Sequence, residues 1–315
     1  MSEVNCFAAD VSKRELVIAV YPGEVGVKRI ANQDAAISAW LDTLPAGSVI
    51  AMEATGTYHR RLADLAHGRG LVVYVVNPRN VYYYVRGMGA RGKTDPSDAK
   101  LLARYVAHER AQLHPYVPPS ALCERLTTLL ERRAVLVRSR QALTQSLAEL
   151  PALGREKRNL FKAIASLLSG IDRELAALTS SDASTATLVT RLKTISGVGP
   201  LVASLLCALF KRFAFRHADA LIAYLGLDPR PDESGQHRGR RRLSKRGHPE
   251  WRRLLIAAAM SAARTKIWRD YVTLQRAKAL PATAVHVILA RKMLRTAFAL
   301  FKNGQEFIPP RVRPT

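Results

Sequence analysis

The sequence predicts an α/β domain followed by two largely helical regions, and three observations support this prediction. Strand-like apolar runs alternate with helix-like segments over residues 1–112. Residues 113–185 contain two long segments with apolar residues at helical spacing. Residues 186–315 combine amphipathic helical segments with a stretch rich in Gly, Pro and Arg. A chain of 315 residues is long enough for these three regions to be separate domains.

The first domain is expected to contain a largely central, partly parallel sheet. Two apolar runs flank a turn-like segment near its start and predict a β-hairpin. The later apolar runs alternate with amphipathic helices, which is typical of parallel strands joined by crossovers. The predicted strands lie around Phe7 and over 16–20, 26–30, 48–53 and 71–76, and the predicted helices lie over 35–41 and 59–67.

The second region predicts an antiparallel helical hairpin. Residues 120–150 contain no internal Gly or Pro before Pro151, and a second helical stretch runs from 154 to about 178. Too little chain surrounds two such long helices to cover both faces. Either another protomer covers the remaining face, giving a homodimer or homotetramer, or the other domains do.

The charge of the chain indicates a polyanionic partner. The net charge is +24, and residues 186–315 carry +18 of it. The C-terminal region is therefore the expected nucleic-acid-binding surface, while the near-balanced N-terminal region keeps carboxylates for another role. The 48% content of hydrophobic residues excludes disorder as the main state.

Location and redox state follow from simpler features. No apolar run is long enough for a membrane span and no secretion signal is evident, so we expect a cytoplasmic protein that does not bind membranes. Cys6, Cys123 and Cys207 lie far apart in apolar surroundings, which indicates reduced core residues.

Four carboxylates are candidates for a metal site. Asp10 and Glu53 end predicted strands, where open α/β sheets collect ligands. Asp95 and Asp98 lie three residues apart at a predicted helix start and project from one face. Oxygen ligands in such a group favour Mg²⁺ or Mn²⁺ and phosphodiester chemistry. Alternatively, Asp95 caps the helix and Asp98 favours the helix dipole.

Two C-terminal motifs are candidates for phosphate contacts. Residues 192–203 resemble a helix-hairpin-helix with Gly197 and Gly199 in the turn, where backbone amides at a helix start approach a phosphate. A purely structural helical turn is the alternative. Further along, Ser234 lies in a loop of basic residues and is a candidate nucleophile, with a turn or capping role as the alternative. The other predicted nucleic-acid contacts are Lys93, Arg230, Arg238, Arg240, Arg241, Arg242, Lys245, Arg246 and His248.

Several motifs in order resemble the DEDD transposases of bacterial insertion sequences, recombinases guided by a bridge RNA and related to pilin-gene invertases. In the N-terminal part the motifs are Asp10-Val-Ser-Lys13, Glu53-Ala-Thr-Gly-Thr-Tyr58, Asn77-Pro78 and Lys93-Thr-Asp-Pro-Ser-Asp-Ala99. In the C-terminal part they are Ile195-Ser-Gly-Val-Gly199, Gly226-Leu-Asp-Pro229, Glu233-Ser-Gly235 and Ser244-Lys-Arg-Gly-His248. They span nearly the whole chain.

The resemblance implies an RNase H-like fold of the RuvC type, with Asp10, Glu53, Asp95 and Asp98 as a tetrad that binds Mg²⁺. It also implies that Ser234 forms a transient phosphoserine link to DNA, and that donor DNA, target DNA and a structured guide RNA are partners. Two alternatives stay open. A Holliday-junction nuclease or an invertase would use the same tetrad, and an architectural nucleic-acid-binding protein would need the charge alone.

Overall fold

The computed structural model describes residues 5–23, 26–54, 56–88, 95–230, 233–234, 237–239 and 242–309, without the side chains of residues 95–96, 151, 233–234 and 237–238. The chain forms two compact units, Met1–Pro118 and Pro119–Thr315. The second unit includes both the long helices of the middle region and the C-terminal helices. The predicted boundary near residue 185 stays a prediction.

The first unit is built on a five-stranded mixed sheet. The strands are β1 (Cys6–Val11), β2 (Glu15–Tyr21), β3 (Lys28–Ala31), β4 (Val49–Glu53) and β5 (Val72–Val76). Their order is β3-β2-β1-β4-β5, with β1 antiparallel to β2 and parallel to β4, and β4 parallel to β5. The predicted hairpin and the parallel strands are confirmed. This mixed sheet with helices is consistent with a RuvC-like fold.

Helices cover both faces of the sheet because its strands are apolar on both sides. The helices are α1 (Asp34–Leu41), α2 (His59–Gly68), α3 (Pro78–Gly87) and α4 (Asp95–Glu109). Ile37 of α1 and Leu62 of α2 pack with Ile50 of the sheet, whereas Leu102 of α4 packs with Ala8 and Ala51 on the other face. The strand alternation therefore decides which residues face α4.

Helix α3 has no counterpart among the predicted elements. Asn77 caps it by accepting a hydrogen bond from the Arg79 amide at 2.9 Å, and Pro78 occupies its first position. The Asn-Pro pair that follows β5 is therefore the start of a helix. The first helical position is favourable for proline because a backbone N–H at that position has no hydrogen-bond partner within the helix.

The second unit contains eight α-helices in its described part. They are α5 (Ala121–Ser146), α6 (Gly154–Thr179), α7 (Ala183–Lys193), α8 (Pro200–Arg212), α9 (Ala218–Tyr224), α10 (Pro249–Ala262), α11 (Lys266–Arg276) and α12 (Ala282–Asn303). Helix α8 is buried along nearly its whole length and forms the centre of the core. Helix α11 was not predicted as a separate element.

Helices α5 and α6 pack on each other in antiparallel fashion. Arg125 Nε donates to Glu174 at 2.6 Å, and Arg133 Nε donates to Asp172 at 2.7 Å. Toward one end of the pair, Leu126 and Leu175 join the core of the unit. Elsewhere the exposed apolar residues are Val135 on α5, Leu160 and Leu167 on α6, and Leu150 and Leu153 in the connection between them. A coiled-coil role in dimerisation stays a prediction.

The described helices include none that is long and apolar enough to cross a membrane. The three cysteines are buried and free, as predicted. Burial raises the pKa of Cys6 to about 12 and that of Cys207 to about 11, so both thiols stay protonated at neutral pH.

Candidate active site

Asp10 and Glu53 lie side by side at the carboxyl edge of the sheet. The parallel register pairs Ala9 with Met52, which brings the next residues, Asp10 and Glu53, opposite each other across neighbouring strands. Ordinary strand spacing puts such residues about 4.8 Å apart. Residues two apart in a strand lie on the same face of the sheet, so Asp10 is on the same face as Ala8, and Glu53 is on the same face as Ala51. That face is the one covered by α4. Both acids are half-buried.

Helix α4 brings Asp98 to the same face of the sheet. The helix packs on β1, β2 and β4 through a stripe that includes Leu102 and Val106. Asp98 is four residues before Leu102, so it lies on that stripe, one turn nearer the helix start. Asp98 is half-buried, and Asp95 is the first residue of the helix. The side chain of Asp95 lies outside the described residues.

These acids fit a divalent cation in type, because carboxylate oxygens are the hard ligands that Mg²⁺ and Mn²⁺ prefer. Among the described side chains, which exclude that of Asp95, no three of His, Cys, Asp and Glu lie close enough together to hold a metal ion. Asp10, Glu53 and Asp98 each make contacts within the protein. We call this set of Asp10, Glu53, Asp95 and Asp98 the acidic edge.

Ser234 lies in a β-ribbon of the second unit, where the sequence predicted a loop. Strands β6 (Pro229–Arg230) and β9 (Arg242–Leu243) pair antiparallel, as do β7 (Glu233–Ser234) and β8 (His237–Arg238). Ser234 pairs with His237, and only Gly235 and Gln236 separate the two in sequence. The side chains of Ser234, His237 and Arg238 lie outside the described residues. The backbone places Ser234 at the end of β7, paired with the first residue of β8.

At the base of the ribbon, the backbones of segments 226–229 and 244–248 pack closely and form hydrogen bonds with each other. Gly226 has φ +68°, and a Cβ there would lie 2.7 Å from the amides of Arg246 and Gly247. The amide of Lys245 donates to the Gly226 carbonyl at 3.2 Å, and the amide of Ser244 donates to the Asp228 carbonyl at 2.9 Å. The segments 226–229 and 244–248 are therefore needed to hold the ends of the ribbon together.

Ser244 is structural, because its buried hydroxyl, 5% exposed, donates to the Asp228 carboxylate. Replacing Ser244 with alanine leaves that carboxylate without its partner, at a cost of about 1–3 kcal/mol. For a unit of this size the melting temperature should fall by a few degrees, as measured by thermal unfolding. The exposed Ser261 is the matched control, and Ser261→Ala should melt like the parent. Equal melting temperatures for both variants would contradict a structural role for the Ser244 hydroxyl.

The basic residues predicted to contact nucleic acid fall into three groups. Arg230, Arg242, Lys245 and Arg246 are exposed along the ribbon and its base. His248 is partly buried, and its ring lies 4.8 Å from that of Trp251. Lys93, Arg240 and Arg241 lie outside the described residues, as does the side chain of Arg238. Their contacts with nucleic acid stay predictions.

The turn between α7 and α8 gives its two glycines different roles. Gly197 has φ +95°, and a Cβ there would lie 2.4 Å from the Cβ of Ala262, so this glycine is needed where α10 approaches. Gly199 is the exposed N-cap residue of α8, with open space around it. Of the two, Gly199 is the residue at which a phosphate has room to approach the helix start.

Replacing Gly197 with alanine should therefore destabilise the second unit strongly. The positive φ costs about 1–2 kcal/mol and the overlap with Ala262 about 1–3 kcal/mol more. Thermal unfolding should show a fall on the order of 10 °C. In the control variant, Gly199→Ala, the backbone has φ −83° and there is space for the methyl group, so the loss should be under about 1 kcal/mol. A Gly197→Ala protein that melts like Gly199→Ala would refute this packing role.

Comparison with known proteins matches the sequence to transposases and to gene-inverting proteins. Residues 7–150 match a transposase domain of the IS110 DEDD type, and residues 189–273 match the transposase IS116/IS110/IS902 family. The pilin gene-inverting protein of Moraxella bovis is 28% identical over 81% of this chain and 80% of its own length. Its counterpart in Moraxella lacunata is 27% identical over the same shares.

The protein is thus a DNA transposase, an enzyme of DNA recombination. The chain belongs to the IS110-type DEDD transposases, which are related to DNA invertases. The resemblance predicted from the motifs is confirmed at the level of the family.

Proposed function

We propose that this transposase cuts and rejoins DNA with divalent metal ions held at the acidic edge and with Ser234 as the nucleophile. The observation that carries the proposal is the register of β1 and β4, which aligns Asp10 with Glu53 on the face where α4 presents Asp98. Carboxylates that share one face of the protein can supply oxygen ligands to a divalent cation. Mg²⁺ or Mn²⁺, when bound, supplies charge neutralisation and polarises a phosphate oxygen.

In this mechanism Ser234 makes a covalent bond to DNA. Its hydroxyl oxygen forms a new bond to a backbone phosphorus as the bond from that phosphorus to the leaving sugar oxygen breaks. The serine gives up its proton to solvent, and the leaving sugar oxygen takes a proton from solvent and departs as a hydroxyl, so the protons balance. A sugar hydroxyl of another strand then attacks the phosphoserine and releases Ser234. The phosphodiester energy is kept throughout, so rejoining needs no ATP.

The ribbon suits this role because its fixed base and basic residues would hold DNA near the serine. Arg230 and Arg242 pair across β6 and β9, giving two guanidinium groups next to the ribbon. Guanidinium groups bind phosphates bidentately and stabilise charge as the phosphorus is attacked. Exposed positions in the turn before α8 offer a second phosphate contact, in the manner of a helix-hairpin-helix.

The proposed partners are donor and target DNA, a structured guide RNA and further copies of this chain. The net charge of +24 suits two nucleic acids. The exposed apolar side chains of α5, of α6 and of the segment that joins them suit a homodimer or homotetramer, with the helical pair as the contact. The acidic edge and Ser234 belong to separate units, so one protomer's carboxylates and another's serine are proposed to act together.

DNA inversion is the second candidate, favoured by the names of the two Moraxella relatives. Inversion would use the same residues and the same chemistry as transposition, so only the DNA substrate distinguishes the two reactions. The experiment that tests the shared chemistry measures recombination and DNA binding separately for Ser234→Ala and Asp98→Asn. Loss of recombination with retained binding supports the proposal, and unimpaired recombination in either variant overturns that residue's role.

A further inference from the structure

We propose that α3 is a stacking platform for unpaired DNA bases beside the acidic edge. This inference rests on the proposed function, because it assigns the strand next to the cut to this helix. The platform is formed by Tyr82 and Tyr83 with Arg79 and Arg86. The argument follows from where α3 begins, which face it exposes and how those four side chains are arranged.

Helix α3 begins at the edge of the sheet where the acids lie. Its N-cap, Asn77, follows directly after β5, whose last residue Val76 pairs with Glu53. The amide of Ala54, the residue after Glu53, donates to the Val76 carbonyl at 3.0 Å. The backbone therefore brings the first turn of α3 next to the strand end that carries Glu53.

The two faces of α3 differ in kind. On the inner face Val81 is buried in the core that α4 shares, and the Tyr84 ring meets the Tyr105 ring of α4 edge-on at 5.0 Å. On the outer face Tyr82 is 57% exposed and Tyr83 is 53% exposed. Two neighbouring aromatic rings so open to solvent are unusual for a surface that binds nothing.

Arginines fix the outer rings and add charge. Arg86 donates to the Tyr82 hydroxyl at 3.2 Å, and Arg79 donates to the Tyr83 hydroxyl at 3.3 Å. The Arg79 guanidinium also lies over the Tyr83 ring, 5.6 Å from its centroid. The two rings are 5.5 Å apart and inclined by 68°, so they present faces in different directions. The helix itself contains no Asp or Glu.

Exposed aromatic faces flanked by cations are the combination that binds single-stranded nucleic acid. Bases stack on the rings while arginines attract the phosphates, and the stacking is independent of base identity. Duplex DNA offers no free base faces, so the platform selects unpaired strand. A strand that is cut and exchanged must separate from its complement near the cut, which supplies unpaired DNA bases at this edge.

The test compares single-stranded and duplex DNA binding by the full chain with Tyr82 and Tyr83 both changed to alanine. Chelator is present so that no cleavage occurs, and the single strand carries 2-aminopurine, whose fluorescence falls on stacking. We expect about tenfold weaker binding of the single strand and loss of quenching, with duplex binding within twofold of the parent. The Tyr82→Phe/Tyr83→Phe protein, which keeps the rings, should still quench.

Leu274→Ala, which trims an exposed side chain of α11, is the control for loss of surface apolar area and should bind as the parent does. Parental single-strand binding by the alanine variant would overturn the proposal. An equal loss of affinity for duplex DNA would also overturn it. A loss of affinity seen only with a single-stranded RNA of the same sequence would overturn it as well. The Asp98→Asn protein should still quench 2-aminopurine, so failure of the platform and failure of the metal site give different results.

Discussion

Replacing Ser234 with alanine is expected to abolish covalent attachment of the protein to DNA and to lower recombination by at least about 10³-fold, if Ser234 is the proposed nucleophile. The expected loss is this large because no other group replaces a nucleophile that forms the covalent intermediate. The fold should survive, since Ser234 lies on the short strand β7, while the base of the ribbon is held by Gly226, Asp228 and Ser244. The measurement is denaturing gel electrophoresis of labelled DNA after incubation with each protein.

The matched control is Ser261→Ala, because Ser261 is an exposed serine on α10 of the same unit. It should recombine DNA like the parent. Ser234→Ala should bind DNA with unchanged affinity, since the ribbon arginines remain. Covalent adducts formed by Ser234→Ala would show that another residue is the nucleophile. Cleavage without any adduct in the parent protein would indicate water as the nucleophile, as in a junction nuclease.

Replacing Asp98 with asparagine should lower recombination by at least about 100-fold at saturating Mg²⁺. The substitution keeps the shape of the side chain but removes one negative charge from the acidic edge, which weakens its hold on a divalent cation. Asp98 begins the α4 stripe that packs on the face of the sheet to which Asp10 and Glu53 belong. Recombination of a plasmid substrate at several Mg²⁺ concentrations measures the effect.

Asp42→Asn is the control for this change. Asp42 belongs to the same unit and pairs at 2.8 Å with Arg69 on an exposed surface, a contact worth at most about 1 kcal/mol. Recombination should be unaffected there. DNA binding by Asp98→Asn in the absence of metal should match that of the parent. Full recombination by Asp98→Asn, or recombination by the parent in excess chelator, would refute the metal site.

Much of the first unit was predictable because its strands carry a simple pattern. Buried β4 and β5 are continuous apolar runs, and parallel strands end at a common edge, so the positions of Asp10 and Glu53 followed from the sequence. Helix α3 was not predicted. In the sequence, Asn77-Pro78 is as typical of a strand end as of a helix start. Three consecutive tyrosines, Tyr82 to Tyr84, show no helical spacing of apolar residues, although only Tyr84 faces inward.

The ribbon around Ser234 was beyond sequence reasoning for a different reason. Its strands are two residues long and contain Pro and Arg, so they show no alternation of apolar residues. What holds them is the contact of Gly226 with Gly247, a pairing of segments that lie far apart in sequence. Gly197 likewise depends on a residue distant in sequence, because a larger side chain there would overlap Ala262 on α10. Such requirements depend on tertiary packing.

The most direct test of the central claim is mass spectrometry of the covalent protein–DNA adduct after digestion with trypsin and nuclease. Cleavage before Pro231 is disfavoured, so the peptide 217–238 is expected intact, with Ser234 and Tyr224 as its only hydroxyl-bearing side chains. We predict a nucleotide phosphate on Ser234. A nucleotide on any other residue, or incorporation of oxygen from labelled water into the cleaved phosphate with no adduct, would contradict the account.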